Sequence, residues 1–326
     1  MPATRRASRF TRDATARTLG FTERDRVLLY ALYRYPLLTT HQLVTLHPGS
    51  AQKTRWRLRE LFDAGYVHRY NTKTDLTIPG SEPIVYALTD WGATWLAAHC
   101  PDIERLKVRY NENNARRTLA SIPHGLMVAD ILLRFELACT YQPEAATFLT
   151  QAALLAQLPE ASRRRRTPTQ WNCPVVHQGQ MLTLGNHPDQ VFGLINRARP
   201  EGRNTLYFFL EADRGTETVQ PVSGHLGKAT LYRKLLAYYH THLHKAHQAV
   251  FGDWMRNFRV LFVVDSTGRG RGGQTRLENL LETARAATEN HLPDLFLFTT
   301  YDAFRASENP LTHAWVNALG EPRLLL

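Results

Sequence analysis

Cysteine is scarce and scattered: Cys100, Cys139 and Cys173 stand far apart with no C-x-x-C among them. That removes a disulfide framework and a thiolate zinc site, and it fits a reducing, cytoplasmic compartment. Long apolar runs are missing too. VLFVV at 260–264 and LFLF at 295–298 fall far short of the roughly 20 residues of a membrane helix, so no membrane partner is expected. The opening MPATRRASRFTRDATARTLG holds five arginines and one acid but no apolar stretch, so residues 1–20 read as a flexible basic arm and not as a secretory signal. No G-x-S-x-G, P-loop or H-E-x-x-H occurs, which leaves the serine hydrolase, P-loop NTPase and zincin chemistries without their motifs. Acidic residues are few as well: 29 Asp plus Glu face 40 Lys plus Arg, a net charge of +11. Such an excess points to a polyanionic partner, nucleic acid before membrane, with a merely solubilising surface as the alternative.

What is present falls into two patterns, and 326 residues with 43% hydrophobic content suit two domains. From 21 to 100, three short helices precede a hairpin. Thr22 with Asp25 forms a capping box ahead of Val27, Leu28, Ala31 and Leu32 on one helical face, and a second helix follows Thr39 or Thr40 and ends before Pro48. The third opens at Ser50 and stops at Gly65, with Trp56, Leu58, Leu61 and Phe62 turned inward and Lys53, Arg55, Arg57 and Arg59 left as a basic face. YVHRYN and EPIVYALT then read as strands on either side of the polar TKTDLTIPGS. This is the order of a winged helix-turn-helix that binds double-stranded DNA. The third helix would enter the major groove, and Arg69 and Lys73 of the wing would lie along the phosphates. A small helical domain serving protein contacts is the alternative.

Residues 101–123 read as a connector. Beyond them the rhythm is a helix over 124–140, strands near 146–155, 174–184, 190–194 and 205–212, a helix over 224–248, a strand over 258–265, a helix over 275–289 and a strand over 295–301. That alternation predicts an α/β fold with a mixed sheet over 124–305, and 306–326 is left as a C-terminal tail. The stretch YFFLEADRGTET at 207–218 ends an apolar strand in Glu211 and Asp213. Their i, i+2 spacing puts both carboxylates on one face, where they repel unless a cation intervenes. Asp189, in HPDQVFGL, opens the preceding strand. If the two strands are neighbours, three carboxylates converge at one sheet edge, a donor set suited to Mg²⁺ or Mn²⁺.

Pro188-Asp189 followed by Glu211-x-Asp213 on a strand resembles the core of the PD-(D/E)xK nuclease superfamily. LEADRGTE at 210–217 with GHLGKATLYRKLLAYY after it and the helix-rich half before it resembles the replication-relaxation family of plasmid proteins, itself similar to the mobilisation-C class of conjugative relaxases that use acidic residues. The resemblance implies a restriction-endonuclease-like domain and a metal-dependent DNA nickase or relaxase, in which Asp189, Glu211 and Asp213 bind the metal and catalyse. It implies plasmid replication or mobilisation proteins as further partners, and a winged helix, which often dimerises on palindromes, makes a homodimer a further expectation. Asp213 stands where the pattern has lysine. Lys228 or Lys234 would then supply the ammonium, with Lys228 or Arg214 offsetting phosphate charge, or Asp213 would hold a further metal. The alternative is a replication or transcription regulator with a degenerate nuclease-like domain, its Glu211, Asp213 and Arg214 forming a salt-bridge network.

Other signals compete. Gly268, Gly270 and Gly273 have G-x-G-x-x-G spacing between a strand and a helix, which reads as a dinucleotide loop or as a basic loop at a DNA surface. His240, His244 and His247 share a helical face, as zinc ligands or as solvated histidines. His124, Asp130 and Glu136 would reach the acidic site or sit outside a packed helix. The run Arg163 to Arg166 reads as a phosphate-contacting or solvated loop.

Overall fold

The computed structural model describes residues 8–13, 19–47, 49–71, 83–100, 103, 109–220, 226, 229–265 and 274–326. Two units make up the chain, Met1–Asp130 and Ile131–Leu326.

In the first unit, Thr22 caps α1 (Glu23–Arg34): its side chain accepts from the Asp25 amide while the Asp25 carboxylate accepts from the Thr22 amide. The strand β1 (Leu38–Thr39) runs into α2 (Thr40–Thr45), where Thr39 and Gln42 repeat the same reciprocal cap. Ser50 caps α3 (Ala51–Asp63), and Gly65, at φ +89°, ends it in a conformation that glycine adopts without a Cβ penalty. The strands β2 (Val67–Tyr70) and β3 (Val85–Leu88) pair antiparallel, with β1 on the far edge of β3. Then come α4 (Asp90–His99) and α5 (Tyr110–Arg116). Leu28, Leu32, Leu58, Leu61 and Leu96 are fully buried or nearly so. A Cβ at Gly92 would lie 2.3 Å from the Tyr66 carbonyl oxygen, so α4 approaches the α3–β2 turn as closely as only glycine permits.

Three details differ from the sequence reading. Trp56 is 56% exposed, because the helical turn gives the inward positions to Thr54, Arg57, Leu58, Leu61 and Phe62. Arg57 is buried, and its guanidinium donates to both carboxylate oxygens of Asp25, which is itself 0% exposed. The first twenty residues are not wholly a free arm: the backbone carbonyls of Arg9 and Thr11 accept from the guanidinium of Arg59, and that of Arg9 also accepts from Arg69.

The unit boundary falls within α6 (Ile122–Tyr141). The second unit continues with β4 (Ala146–Leu149), α7 (Gln151–Ala156), α8 (Glu160–Arg163), β5 (Trp171–His177), β6 (Gln180–Asn186), β7 (Gln190–Asn196) and β8 (Thr205–Asp213). After these lie α9 (Leu231–His244), α10 (Gln248–Phe251), β9 (Arg259–Val264), α11 (Arg276–Thr288), β10 (Phe296–Thr300), α12 (Tyr301–Ala306), β11 (Trp315–Asn317) and β12 (Pro322–Arg323). The strand expected over 146–155 stops at Leu149, where Thr150 caps a helix instead. The expected strand over 174–184 is a hairpin, turned at Gln178 and Gly179 with φ of 50° and 75°. Residues 306–326 are not a tail: β11 and β12 extend the sheet.

That sheet has the order β12-β11-β10-β9-β8-β7-β4. Its three central strands, β8, β9 and β10, run parallel, and the flanking pairs are antiparallel. The α/β fold with a mixed sheet therefore holds. Strand alternation sends Phe209, Phe262 and Phe298 into one core with Leu235, Tyr238, Leu280 and Ala284 of α9 and α11. Phe208 and Phe192 pack on the opposite face, where Phe135 of α6 meets Phe192 at 5.2 Å and Phe304 of α12 at 5.5 Å between ring centroids. Largely apolar strands between two helical layers make any charge at their ends costly to leave unpaired.

Candidate functional site

The end of β8 carries that charge. Glu211 and Asp213 sit on the same face as Phe209, under α9 and α11, and both are buried. Asp189 lies one residue before the Gln190–Leu210 pair, across from Glu211. Its amide donates to the Leu210 carbonyl, and its carboxylate accepts from the Ala212 amide at 2.8 Å. The expectation that these strands are neighbours is met.

Each carboxylate has its own partner. The α9 residues Lys234 and Tyr238 are four apart, hence one above the other on a helix, and both reach Glu211: Lys234 Nζ donates to Oε2 at 3.1 Å and the Tyr238 hydroxyl to Oε1 at 2.6 Å. Lys234 Nζ also donates to Glu217 Oε1 at 3.0 Å. Asp213 belongs to α11 instead. The Arg276 guanidinium grips both of its oxygens, one at 2.8 Å, and donates to the Glu217 carbonyl at 2.7 Å. The Gly215 amide adds a further donor to Asp213 Oδ1 at 3.0 Å.

The electrostatics follow from this placement. Burial pushes the Glu211 carboxyl up to about 7; the Lys234 ammonium opposes that rise and the Asp189 charge adds to it. Burial disfavours the Lys234 ammonium, but Glu211, Glu217 and Asp189 outweigh it and hold the lysine protonated above its ordinary range. The Tyr238 phenol is raised by burial and by the adjacent Glu211. A carboxyl that titrates near neutrality beside a fixed ammonium can exchange a proton at working pH, which suits acid–base chemistry.

The three-carboxylate cluster expected from the sequence is not formed. Arg276 takes both oxygens of Asp213, and among the described residues no group of three His, Cys, Asp or Glu is placed to hold a metal ion. Lys228 lies outside the described residues, as do Lys73, Gly268, Gly270 and Gly273. Among the described residues, Lys234 is the lysine at the site. The histidine face is broken too: α9 ends at His244, Lys245 turns left-handed at φ 54°, and His247 is buried with Nε2 at 2.8 Å from the Met255 carbonyl. Asp130 accepts from Gln42 Nε2 at 3.2 Å.

The sequence reading passed over Tyr238 and Arg276. Lys234 and Tyr238, one polar pair four apart among RKLLAYY, were a usable signal for the first. Nothing local marks Arg276, which reaches Asp213 from 63 positions away. Of the basic residues expected to meet DNA, Lys53 and Arg55 are exposed on α3, Arg59 is half-buried and paired with Asp63 at 2.6 Å, and Arg57 and Arg69 are buried.

The model of the family described as replication-relaxation matches residues 29–253, more than half of the chain. The chain belongs to the replication-relaxation family. The match contains Asp189, Glu211, Asp213, Glu217, Lys234 and Tyr238, while Arg276 lies beyond it. No curated protein and no solved structure matches the chain. Membership in the replication-relaxation family gives a role in the replication of DNA or in the function of mobile elements. Among the described residues no helix is long and apolar enough to cross a membrane.

Proposed function

We propose that this replication-relaxation protein binds double-stranded DNA of a plasmid or other mobile element through its N-terminal unit. Its second unit nicks DNA during replication or mobilisation, in the cytoplasm. The observation that carries the nicking reading is Lys234 Nζ, 3.1 Å from Glu211 Oε2 beside Asp189. The ammonium that the PD-(D/E)xK pattern places two residues after its glutamate comes here from α9. For DNA binding, the support is the order of α1, α2, α3, β2 and β3 with β1 pairing β3, which matches a winged helix, and the exposed Lys53, Arg55 and Trp56 on α3.

Asp189 and Glu211 are hard oxygen donors whose mutual repulsion a divalent cation would relieve, and they fit Mg²⁺ or Mn²⁺; Asp213, committed to Arg276, does not fit as a third ligand. Such a cation, held by Asp189 and Glu211, would supply Lewis acidity toward a phosphoryl oxygen and a more acidic water. The protein's own groups do the rest. Tyr238 fixes the orientation of Glu211 through Oε1, and Lys234 stays cationic to offset charge that develops on the phosphate. In the hydrolysis, a water oxygen joins phosphorus, one bridging P–O bond breaks, and the departing strand oxygen takes up a proton.

A second reading has an observation of its own. Arg276 with Asp213, and Lys234 between Glu211 and Glu217, already pair three of the carboxylates at the sheet end, as in a replication or transcription regulator with no catalysis. Incubation of supercoiled plasmid with Mg²⁺ or Mn²⁺ separates the two. Conversion to open circles that is lost with EDTA, with Asp189→Ala and with Lys234→Met supports nicking. A salt-sensitive mobility shift without open circles, or cutting unchanged in Asp189→Ala, overturns it in favour of the regulator.

A further inference from the structure

The opposite end of the same sheet carries a second feature, one that no acidic-site chemistry uses. A groove of about 1570 Å³ opens where β7 ends and β8, β9 and β10 begin. Its rim is basic: Arg199, Arg203 and Arg256 are exposed and make no ion pair among the described residues. In its floor lies Arg259, half-buried, whose guanidinium is disfavoured first by burial; Asp294 opposes that, and the like charges of Arg199 and Arg323 add to it. Asp294 is itself shared with Arg323 at 2.8 Å and with the Asn317 amide. The remaining lining acids are Glu201 and Asp253, too few to neutralise the arginines. Five arginines line the groove against three acids, and that excess of like charge is relieved by an anion from outside.

The groove also has an aromatic wall. Tyr207 and Trp254 meet edge to face at 5.2 Å, both part-exposed, and the buried Trp254 indole N–H makes no hydrogen bond among the described residues. Guanidinium groups beside aromatic rings in a concave site match a polyanion that also offers flat π-faces. Paired bases keep those faces inside a duplex, so an aromatic wall contributes only to an unpaired strand.

We propose that this groove binds single-stranded nucleic acid, with Arg199, Arg203, Arg256 and Arg259 on the phosphodiester backbone and Tyr207 with Trp254 against the bases. The site is independent of whether Glu211 and Asp189 support cutting. It gives the second unit a hold on an unpaired strand, which is the form that DNA takes when replication opens a duplex.

The test is fluorescence anisotropy of a short labelled oligothymidylate with the full-length protein over a salt series. The comparison is between the triple variant R199A/R203A/R256A and a charge-matched triple, R26A/R116A/R305A, whose residues are exposed and lie outside the groove. The groove triple is expected to lose at least about ten-fold in affinity, and its salt slope to fall by about 2, at ~0.7 per single-strand phosphate contact removed. The charge-matched triple should retain most of its affinity and its slope. Equal losses in the two triples would show that net charge alone binds the strand and overturn the site. A loss in the groove triple for a duplex of the same length, but none for the single strand, overturns the single-strand assignment. Both triples keep every residue named at the acidic site, so plasmid nicking measured alongside reports on that proposal separately.

Discussion

Glu211 shows how much one position can hold. Its carboxyl is 2% exposed and titrates near 7, so the folded protein binds its proton more tightly than the unfolded chain, whose ordinary value is 4.5. Stability contributed by that proton is fully present below pH 4.5 and is lost as pH rises toward 7. Chemical denaturation of wild type and Glu211→Gln across this window should show the wild type losing ground to the variant, by on the order of 3 kcal/mol for a shift of this size. A flat difference would mean that Lys234 keeps Glu211 ionised throughout. The strand position and shared face of Glu211 and Asp213 were legible in the alternating YFFLEAD. Their separation onto different helices was not, because Arg276 arrives from a distant helix that strand periodicity cannot locate.

Elements were legible where caps and turns are written locally. Thr22 with Asp25, Ser50 and Gly65 each did what its side chain, or lack of one, dictates. Elements were misread where a tertiary partner decides: Arg57 looked solvated by composition, yet its fork fits the buried Asp25. Thr150 stopped a strand that apolar composition alone would have continued. The junction of α9 and α10 carries a pH device of its own. Burial brings the His247 imidazole down to about 4, while the Met255 carbonyl resists that fall. A depressed histidine stabilises fully above its unfolded value of 6.5, and that stability is lost as pH falls from 6.5 toward 4. In His247→Gln, which keeps a donor for Met255, the acid side of the stability–pH curve should flatten between these limits. An unchanged acid limb would assign the loss to other groups.

Over the whole molecule, the net charge of +11 favours a polyanionic partner but does not say where it would sit. Half of the basic face read from α3 turned out to be structural: Arg57 neutralises Asp25, and Arg59 holds backbone carbonyls of the N-terminal residues, as does Arg69 of β2. Duplex affinity should therefore fall in Lys53→Ala/Arg55→Ala, with the salt slope reduced by about 2 at ~0.9 per contact, while the melting temperature stays put. Arg57→Ala should instead destabilise the first unit by about 3–5 kcal/mol, the cost of stranding a buried carboxylate. Mobility shifts and calorimetry on the same variants distinguish the two, and loss of DNA binding without loss of stability in Arg57→Ala would return that residue to the interface.

The strand β8 has nine residues, with the arginine groove at its start and Glu211 and Asp213 at its finish. At about 3.3 Å per residue it spans roughly 26 Å, and buried between two helical layers it cannot shorten. It is a ruler. From Thr205 to Glu211 it covers about 20 Å at ~3.3 Å per residue, and a stacked nucleic acid strand advances about 3.4 Å per nucleotide, so an oligonucleotide much shorter than about six nucleotides can occupy one end of the ruler but not both. The distance between grip and acidic site is set by the length of a single β-strand.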